Sequence, residues 1–405
     1  MRILFLSQVL PYPLDAGPKI RSYYVLRHLA QQHEVTLLTF VRDTDRPEDI
    51  EHLAQFCHRI HTIFMQRHHL NDIRFLMQSM VTGQPFLILR DQVKAMTAKV
   101  QALVREESFD VVHADQLWMA QYAEIAKRAC TDLKLILDQH NAVHLIPQRL
   151  ADSEPNPVKR QFFKYEASQL RRYETATCQQ FDHVVWVTEE DRQAVTALSV
   201  IASDSSKPST IIPICVAPAQ NEQIASSHYR PHIIFLGGLH WPPNAQGILW
   251  FKKEIFPLVR AEVPEATLTV IGKNPPAELR GDHIEVTGYV SNLIPFLAET
   301  CVFIVPLRAG GGMRVKILDA WNWGLPVVST TVGAEGLQTQ AGKNILMADT
   351  PQSFATAVIR VLQDRSLAYR LSQCGYQTVT EQYDWHKTYT AWDDVYQTTA
   401  NGTQQ

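Results

Sequence analysis

The stretch VFIVPLRAGGGMRVKILDAWNWGLPVVST, residues 302–330, contains a complete strand–loop–helix–strand pattern. Its first run, VFIV, and its last, PVVST, lack polar alternation, which is typical of parallel strands covered on both faces. Three glycines, Gly310–Gly312, separate the first strand from a helix predicted over Met313–Trp323. Gly324 and Pro326 then end the helix and lead into the next strand. The pattern predicts an α/β domain built on a parallel sheet.

The same alternation extends over the whole chain of 405 residues, which is too long for one compact core. A polar stretch rich in proline and serine, between Ser199 and Pro231, marks a domain boundary. We therefore predict two doubly wound, Rossmann-like α/β domains, 1–205 and 206–384, facing each other across a cleft. The helical tail, 385–405, carries aromatic residues that would dock on the first domain. Ligands of open parallel sheets bind beyond the carboxyl ends of the strands, so this cleft is the expected active site.

The composition is that of an ordinary globular protein, with 45% hydrophobic and 20% charged residues. A net charge of −3 gives no argument for nucleic-acid binding. Six cysteines without C-x-x-C spacing are typical of reduced thiols in the cytosol, and not of a disulfide frame or a zinc site. The N-terminal apolar run is broken by Gln8, which favours a strand over a signal peptide. No run approaches the roughly 18 apolar residues of a membrane span. We expect a cytoplasmic protein, with association at the inner face of the membrane left open.

The glycine loop has the features of an anion-binding site. Glycines let backbone N–H groups approach an anion closely, and the free N–H groups of a helix start point at it. Arg314 and Lys316 would add charge-assisted hydrogen bonds, and Asp319 on the same helix face would suit sugar hydroxyls. Together these groups would suit a nucleotide. The alternative is a tight turn in which Lys316 and Asp319 form a surface ion pair worth about 0.3–0.5 kcal/mol.

A second glycine, Gly17, follows the first strand and precedes a helix that contains Lys19 and Arg21. It is a weaker candidate for phosphate binding, because a lone glycine also serves ordinary turns. Neither domain contains the G-x-G-x-x-G of a dinucleotide site or the G-x-x-x-x-G-K-[ST] of a P-loop. The sequence therefore favours phosphate binding of another kind.

These stretches resemble the bacterial glycosyltransferases of family four, also called group 1. The resemblance covers nearly the whole chain and is most specific in FLGGLHWPPNAQGILWFKKEIFPLVRAEVPEATLTVIGKNP, residues 235–275, and in residues 305–337. It implies the GT-B fold and transfer of a hexose from a nucleoside diphosphate sugar with retention of anomeric configuration. It implies no metal and no other cofactor. The favoured donor is UDP-glucose, and the acceptor a saccharide or lipid-linked saccharide in exopolysaccharide or cell-envelope glycan synthesis.

The resemblance also implies roles in the second domain. The family motif has two acidic residues eight apart, and its second position falls on Asp319, which would bind the ribose hydroxyls. Its first position falls on Gly311, which has no side chain, so the contact with the donor sugar is changed. The diphosphate is assigned to Arg314 and Lys316. The remaining implied donor-binding residues act largely through backbone groups: Gly238, His240, Tyr289, Val290, Gly312 and Met313.

In the first domain, the sugar-contacting histidine of the family falls on His140, at the end of the predicted strand KLILDQH. Asp138 and Asn141 flank it and are implied to lie on the sugar or acceptor side. The alternative is a purely structural histidine. Glu189 and Glu190 could face the cleft, although a solvated helix start is the preferred interpretation.

Three other patterns are interpreted as structural. Asp43-x-Asp45 lies in a charged loop and is not expected to bind a metal. The basic, aromatic segment Val158–Glu174 could touch anionic lipid or a charged acceptor, but a mixed solvated helix face is favoured because Glu166 and Glu174 interrupt it. A group of histidines with no metal-binding spacing is interpreted as a strand edge and a polar loop. The histidines are His58, His61, His68 and His69.

Two rival functions stay open at this point. The same fold serves nucleotide-sugar 2-epimerases, which change the sugar without an acceptor. A non-catalytic sugar-nucleotide-binding protein is the second rival, because Gly311 replaces an acid of the family motif. The sequence sets neither the acceptor nor the oligomeric state.

Overall fold

The structure is a computed structural model of the chain. It describes residues 1–66, 69–197, 207–218, 230–290 and 292–401. The chain forms two compact units, Met1–Cys215 together with Trp385–Gln405, and Val216–Asp384. We call them the first and second domains.

The described residues of the first domain form one parallel sheet with helices on both of its faces. Its strands are β1 (Arg2–Ser7), β2 (Glu34–Val41), β3 (Arg59–Phe64), β4 (Val111–Asp115), β5 (Lys134–Gln139), β6 (His183–Trp186) and β7 (Ser209–Ile211). They are ordered β3-β2-β1-β4-β5-β6-β7, and every pair is parallel. The helices are α1 (Gly17–Leu29), α2 (Pro47–Ala54), α3 (His69–Thr82), α4 (Phe86–Arg90), α5 (Lys94–Glu106), α6 (Leu117–Ala129), α7 (Leu145–Ser153), α8 (Pro157–Cys178) and α9 (Glu189–Thr196).

The first domain extends beyond the predicted boundary at residue 205. The reason is the three-residue strand β7, which pairs with β6 at the edge of the first sheet, so that the first domain reaches Cys215, ten residues past the predicted boundary. The central strands are apolar runs that the helices bury on both sides, and all five residues of β4 are buried. This confirms the predicted α/β class for this half of the chain.

The second domain repeats the architecture with a shorter sheet among its described residues. Its strands are β8 (His232–Leu236), β9 (Thr267–Ile271), β10 (Ile284–Gly288), β11 (Val302–Val305), β12 (Val327–Ser329) and β13 (Leu346–Met347), ordered β10-β9-β8-β11-β12-β13. Its helices are α10 (Pro242–Trp250), α11 (Phe256–Glu262), α12 (Ile294–Ala298), α13 (Val315–Asn322), α14 (Pro351–Gln363) and α15 (Arg365–Gln382).

Two helices of the second domain differ from those predicted from the sequence. The sequence predicts one helix over Ala245–Glu262, but the structure has a π-helical turn, Phe251–Ile255, within this segment. Pro257 follows this turn and has no N–H to donate back to the preceding turn, which favours such an irregularity. The glycine-loop helix begins at Val315 and not at Met313. Arg314 has φ −94° and ψ 86°, so it lies outside the helix.

The tail returns to the first domain as α16 (Trp385–Thr388) and α17 (Ala391–Asn401). Its aromatic side chains, Trp385, Trp392 and Tyr396, are almost completely buried. The Tyr396 hydroxyl lies 2.8 Å from Nδ1 of His113 in β4. None of the described helices is long and apolar enough to cross a membrane.

In each sheet the strand order reverses at one point, between β1 and β4 in the first and between β8 and β11 in the second. The loops at the carboxyl ends of the strands diverge there and leave room for a ligand. Gly17 follows β1, and the glycines Gly310–Gly312 follow β11. The two predicted glycine loops therefore begin at the two switch points.

Candidate functional site

The glycine loop after β11 has a backbone that requires glycine at two positions. Gly310 has φ +137° and Gly312 has φ +71°, both in the region that side chains with a Cβ rarely adopt. A Cβ on Gly310 would lie 2.5 Å from Nη2 of Arg314. The loop is thus folded closely around the arginine that follows it.

Arg314 is engaged with its own loop. Its Nη1 donates hydrogen bonds to the carbonyl oxygens of Gly311 and Gly312, the second at 2.7 Å. The guanidinium therefore holds the loop carbonyls together and places a positive charge beside the start of α13. Its predicted contact with a diphosphate stays a prediction.

The Lys316 side chain extends from α13 toward the loop between β8 and α10. Its Nζ donates to Oδ1 of Asn244 in the first turn of α10, at 2.9 Å, and lies 4.8 Å from the centre of the Phe235 ring. A Cβ on Gly237 would approach the same Nζ to 2.6 Å. Burial, followed by the nearby Arg314 charge, lowers the pKa of Lys316 to about 7, although Asp319 opposes the shift. A bound anion would restore the full charge of this lysine.

Asp319 lies one turn further along α13. Burial raises the pKa of its carboxyl to about 7, and Lys316 opposes the shift. Lys316 and Asp319 are both only partly exposed, and the Lys316 ammonium donates to Asn244, so a solvated surface ion pair does not describe this site. A partly desolvated carboxyl can bind the paired hydroxyls of a ribose by hydrogen bonds.

The β8–α10 loop packs tightly beside Lys316. The Asn244 amide donates from Nδ2 to the Gly238 carbonyl at 2.9 Å, while its Oδ1 accepts from Lys316. A Cβ on Gly238 would lie 2.6 Å from Cε1 of His240. Asn244 therefore connects this loop to α13, and it was missed by the sequence analysis.

The loop after β10 presents Tyr289 to solvent, with 57% of the residue exposed. Nζ of Lys273, which follows β9, lies 4.6 Å above the Tyr289 ring, within cation–π distance. Val290 is partly exposed beside it, and Gly288 takes a left-handed φ of +73°. Lys273 is a cation at the carboxyl edge of this sheet that the sequence analysis did not single out.

A buried ion pair joins helix α1 to strand β5 in the first domain. Arg21 of α1 and Asp138 of β5 are fully buried, and Nη2 and Oδ1 are 2.6 Å apart. The Arg21 Nε also donates to Asp138 at 2.9 Å, and Nη1 donates to the Ile212 carbonyl at 2.7 Å. Burial alone would raise the pKa of the Asp138 carboxyl, but Arg21 and His140 outweigh it and hold the pKa far below its usual value.

His140 is held by two carboxylates. Its Nε2 lies 2.9 Å from Oδ1 of Asp115 and 3.5 Å from Oδ2 of Asp138. Asp115 also accepts from the hydroxyls of Ser7 and Ser22, both at 2.7 Å. Burial would lower the pKa of His140, but the carboxylates outweigh it and raise the pKa, which favours the imidazolium.

These three side chains, Asp115, Asp138 and His140, bring one ligand atom each to within 4.8 Å of one another. Such a group has the residue types of a metal centre. However, Arg21 already supplies the positive charge that Asp138 requires, through three hydrogen-bond contacts. Asp138 is therefore neutralised by Arg21, whereas Oδ1 of Asp115 and both ring nitrogens of His140 are buried without a hydrogen-bond partner of good geometry.

The other residues singled out from the sequence make contacts within their own loop or helix, or lie next to a site residue. Gly17 begins α1, after Ala16 in an extended conformation, and Asn141 is partly exposed next to His140. The Asp45 carboxylate accepts from the Arg42 backbone N–H and closes its own loop. Glu189 pairs with Arg192 at 2.6 Å in the first turn of α9. Of the histidine group, His61 lies in β3, while His68 falls outside the described residues.

Two family models match the chain. Residues 16–204 match a glycosyl transferase 4-like domain, and residues 230–364 match the glycosyl transferases group 1. The matches fall on the first and second domains and together cover most of the chain.

The chain belongs to the group 1 glycosyltransferases.

Similarity to individual proteins agrees with this family. A protein of the cps region of Klebsiella pneumoniae, itself uncharacterized, is 23% identical over 96% of this chain and 98% of its own length. The GDP-mannose-dependent alpha-(1-6)-phosphatidylinositol monomannoside mannosyltransferase of Mycobacterium tuberculosis is 30% identical, over 38% of this chain and 44% of its own.

Solved structures confirm the predicted GT-B fold of the glycosyltransferase. HepE of Anabaena, solved in complex with UDP and glucose, has a TM-score of 0.68 at 13% identity, covering 98% of this chain and 99% of that one. WaaG, a glycosyltransferase involved in lipopolysaccharide biosynthesis, has a TM-score of 0.62 at 12% identity, covering 97% and 99%. At these identities the comparison concerns the fold.

Several site residues of this glycosyltransferase are not indicated by its sequence, because their partners are distant along the chain. Asp115 ends β4 without any motif around it, and Arg21 was noted only as a cation of α1. One local signal was available for Lys273, since it directly follows the predicted strand ATLTVIG at the sheet edge where ligands bind.

Proposed function

We propose that this glycosyltransferase transfers a hexose, with retention and without a metal or other cofactor, from a nucleoside diphosphate sugar to a saccharide or lipid-linked acceptor. UDP-glucose is the first donor to test. One observation carries the proposal: the ammonium of Lys316 is partly desolvated at the switch point of the second sheet and has a neutral amide as its hydrogen-bond acceptor. A diphosphate would supply the missing negative charge.

The glycine loop would bind the same diphosphate. In the proposed complex, Lys316 pairs with the phosphate oxygens, and the backbone N–H groups of Gly311, Gly312 and Met313 bind phosphate or sugar oxygens. Arg314 holds the loop carbonyls and adds positive charge to the start of α13. Because Gly311 replaces the first acid of the family motif, backbone groups would make the sugar contact here.

The nucleoside would lie along the same sheet edge. Asp319 would bind the ribose hydroxyls, and the backbone of Tyr289 and Val290 would border the base. Gly238 and His240 belong to the loop that Asn244 connects to Lys316, so this loop would complete the donor site.

His140 would orient the donor sugar from the first domain. Its Nε2 lies within ion-pair distance of Asp115 and Asp138, and its Nδ1 is buried without a hydrogen-bond partner, so Nδ1 is the proposed donor to a sugar hydroxyl. Asp138 is fully buried and paired with Arg21, so it acts by positioning His140 and not by contacting the acceptor. Asn141 and the Gly17 loop are the further candidate contacts of this domain.

The proposed reaction needs no protein nucleophile. The acceptor hydroxyl oxygen bonds to the anomeric carbon on the face from which the diphosphate leaves, and the bond from that carbon to the phosphate oxygen breaks. The acceptor proton passes to a leaving phosphate oxygen. The charge that develops on this phosphate would be stabilised by Lys316 and by the free N–H groups at the start of α13.

We place the reaction in the synthesis of an exopolysaccharide or cell-envelope glycan, in the cytoplasm at the inner face of the membrane. The names of WaaG and of the Klebsiella relative's cps region support this setting. HepE in complex with UDP-glucose supports a UDP-sugar, and the GDP-mannose-dependent relative provides the alternative donor.

A thermal-shift screen of UDP-, GDP- and ADP-sugars tests the donor assignment. A ligand at 100 times its Kd stabilises the folded state by about 2.7 kcal/mol, which gives a clear shift of the midpoint. We expect a shift with UDP-glucose that exceeds the shifts with the other bases. No shift with any nucleotide sugar would contradict the proposal, and a larger shift with GDP-mannose would change the donor.

Asp319→Ala should weaken nucleotide binding more than it slows the chemical step. The reason is that the ribose lies away from the reacting bonds, so its contact is the same in ground and transition states. Titration calorimetry should show a Kd raised by about tenfold, with kcat at saturating donor within a few-fold of the wild type. An unchanged nucleotide affinity would remove Asp319 from the site.

Gly237→Ala should displace the Lys316 ammonium. The new Cβ would lie 2.6 Å from Nζ and 2.9 Å from Nδ2 of Asn244, so one of the two side chains has to move. We expect donor affinity to fall by about tenfold. Gly281→Ala is the matched control, because its Cβ would meet Lys252 at an ordinary 3.4 Å. Equal donor affinity in both variants would mean that the Lys316 position is unimportant.

A further inference from the structure

Helix α8 carries two carboxylates that are buried and not solvated. The mixed solvated face expected for Val158–Glu174 is wrong, because Glu166 and Glu174 are 2% and 0% exposed. The Glu166 carboxylate accepts from the backbone N–H groups of Phe86 and Leu87, each at 3.0 Å. Glu166 therefore holds the start of α4, whereas Glu174 has partners in a different segment.

Glu174 accepts hydrogen bonds with both of its oxygens from the segment that carries His140. Its Oε1 accepts from the Gln139 side-chain amide and from the Val143 N–H, the latter at 2.8 Å. Its Oε2 accepts from the His144 N–H at 3.3 Å and lies 2.6 Å from Nδ1 of the same residue. An ionised carboxylate accepts about four hydrogen bonds, so these contacts match its capacity.

A second buried acid, Asp191 in the first turn of α9, binds the same segment. Its Oδ1 accepts from the Ala142 N–H at 2.8 Å, and its Oδ2 accepts from the Thr188 hydroxyl at 2.7 Å. The N–H groups of three successive residues, 142–144, thus point at two buried carboxylates. We call residues 139–144 the His140 loop.

One oxygen of Glu174 connects the two ends of the His140 loop. Gln139 precedes His140, Val143 follows it by three residues, and both donate to Oε1. The chain between them cannot move far without leaving a buried donor unpaired, which is costly. The Val143 side chain also lies in an apolar cluster with Leu170, one turn before Glu174 on α8. Hydrogen bonds and packing therefore fix the same stretch of backbone.

We propose that Glu174, together with Asp191, is a positioning residue for sugar transfer. The two acids fix the backbone around His140 and so place its imidazole where it contacts the donor sugar. Because Glu174 is fully buried, it acts through His140 and would not touch the donor itself. The inference rests on the proposed function for the role of His140.

Glu174→Gln tests the positioning role with Glu166→Gln as its matched control. The substitution keeps the shape of the side chain but turns one acceptor oxygen into an N–H donor, which would face the donors of the loop. Glu166 is on the same helix and is also buried against two backbone N–H groups. We expect kcat/KM for transfer to fall by at least about tenfold only in Glu174→Gln, because a small misplacement of an orienting group lowers the rate. Equal kcat/KM in the two variants would overturn the proposal.

Titration calorimetry with UDP shows whether the loss arises at the sugar. UDP lacks the group that His140 would contact, so its affinity should stay within about twofold of the wild type in both variants. If Glu174→Gln weakens UDP binding as much as it lowers kcat/KM, the effect lies outside the sugar contact and the inference fails.

A double-mutant cycle with His140→Ala separates positioning from a general structural loss. Since Glu174 acts through His140, adding Glu174→Gln to His140→Ala should lower kcat/KM by less than about twofold further. A further tenfold loss in the double variant would mean that Glu174 acts on the domain in another way. A folded His140→Ala protein with the wild-type kcat/KM would contradict both the role of His140 and its positioning.

Amide hydrogen exchange tests the His140 loop without any substrate. We expect the amides of Val143 and His144 to exchange at least about tenfold faster in Glu174→Gln and at the wild-type rate in Glu166→Gln. Wild-type exchange at both amides in Glu174→Gln would contradict the proposal. A wild type that transfers no sugar would instead contradict the proposed function, while the exchange rates still decide whether Glu174 fixes the loop.

Asp191→Ala is the second variant, in case Glu174→Gln does not fold. It removes the acceptor of the Ala142 N–H and leaves Glu174 in place. We expect the same direction of change: a lower kcat/KM, an unchanged UDP affinity and no further loss when it is added to His140→Ala. A folded Asp191→Ala protein with the wild-type kcat/KM would show that the buried acids do not position His140.

Discussion

Replacing Lys316 by alanine should lower kcat/KM for sugar transfer by at least about tenfold, or about 1.4 kcal/mol of transition-state stabilisation. The ammonium lies against Asn244 and the Phe235 ring, where the surroundings are partly desolvated and a phosphate charge would be strongly felt. The effect should appear in kcat as well as KM, because the leaving phosphate gains charge as its bond to the sugar breaks.

Steady-state kinetics with Lys253→Ala as the control checks this prediction. Lys253 is an exposed lysine of the same domain, so its loss changes the net charge equally. Lys316→Arg should keep part of the activity, since its charge is retained with a different shape. Unchanged turnover in a folded Lys316→Ala protein would remove Lys316 from the site.

Arg21→Ala should have the largest effect on stability, a loss of about 3–5 kcal/mol in the free energy of unfolding of the first domain. The substitution leaves the fully buried Asp138 carboxylate without its cation, and the Ile212 carbonyl without its donor. Calorimetric unfolding of the variant should show the transition of the first domain at a lower temperature.

Arg128→Ala is the matched control for the buried pair. Arg128 also pairs with a carboxylate, Glu124, but its side chain is 75% exposed, so its loss should cost less than about 1 kcal/mol. If the two variants unfold at the same temperature, the Arg21–Asp138 pair adds no more than a surface pair does. His140 would then have to be fixed by Asp115 alone.

The fold could be predicted from the sequence because its central strands are short apolar runs between amphipathic helices. Few folds bury such a pattern other than a parallel sheet with helices on both of its faces. The predictions that were wrong concern features that tertiary contacts decide. Ser209–Ile211 is too short to be assigned to a domain until its pairing with β6 is seen. The start of α13 was misplaced because Arg314 binds the loop carbonyls in a non-helical conformation.

The candidate site could be predicted only where its residues are close together in the chain. Lys316 and Asp319 share one helix turn and a family motif, so the sequence alone indicates them. Asn244 lies 72 residues from Lys316, and Arg21 lies 117 residues from Asp138. No local pattern predicts such pairs. The inward-pointing glutamates of α8 were missed for the same reason. Glu166 accepts from backbone N–H groups of Phe86 and Leu87, and Glu174 contacts the Val143 N–H and the His144 side chain, all in other segments.

Titration calorimetry with UDP-glucose, UDP and uridine tests the central claim, that Lys316 binds the diphosphate of a nucleotide sugar. The wild type should bind UDP-glucose and UDP more tightly than uridine. In Lys316→Ala this difference should shrink by at least about tenfold, while the affinity for uridine stays the same. A Lys316→Ala protein that keeps the full preference for the diphosphates over uridine would contradict the account.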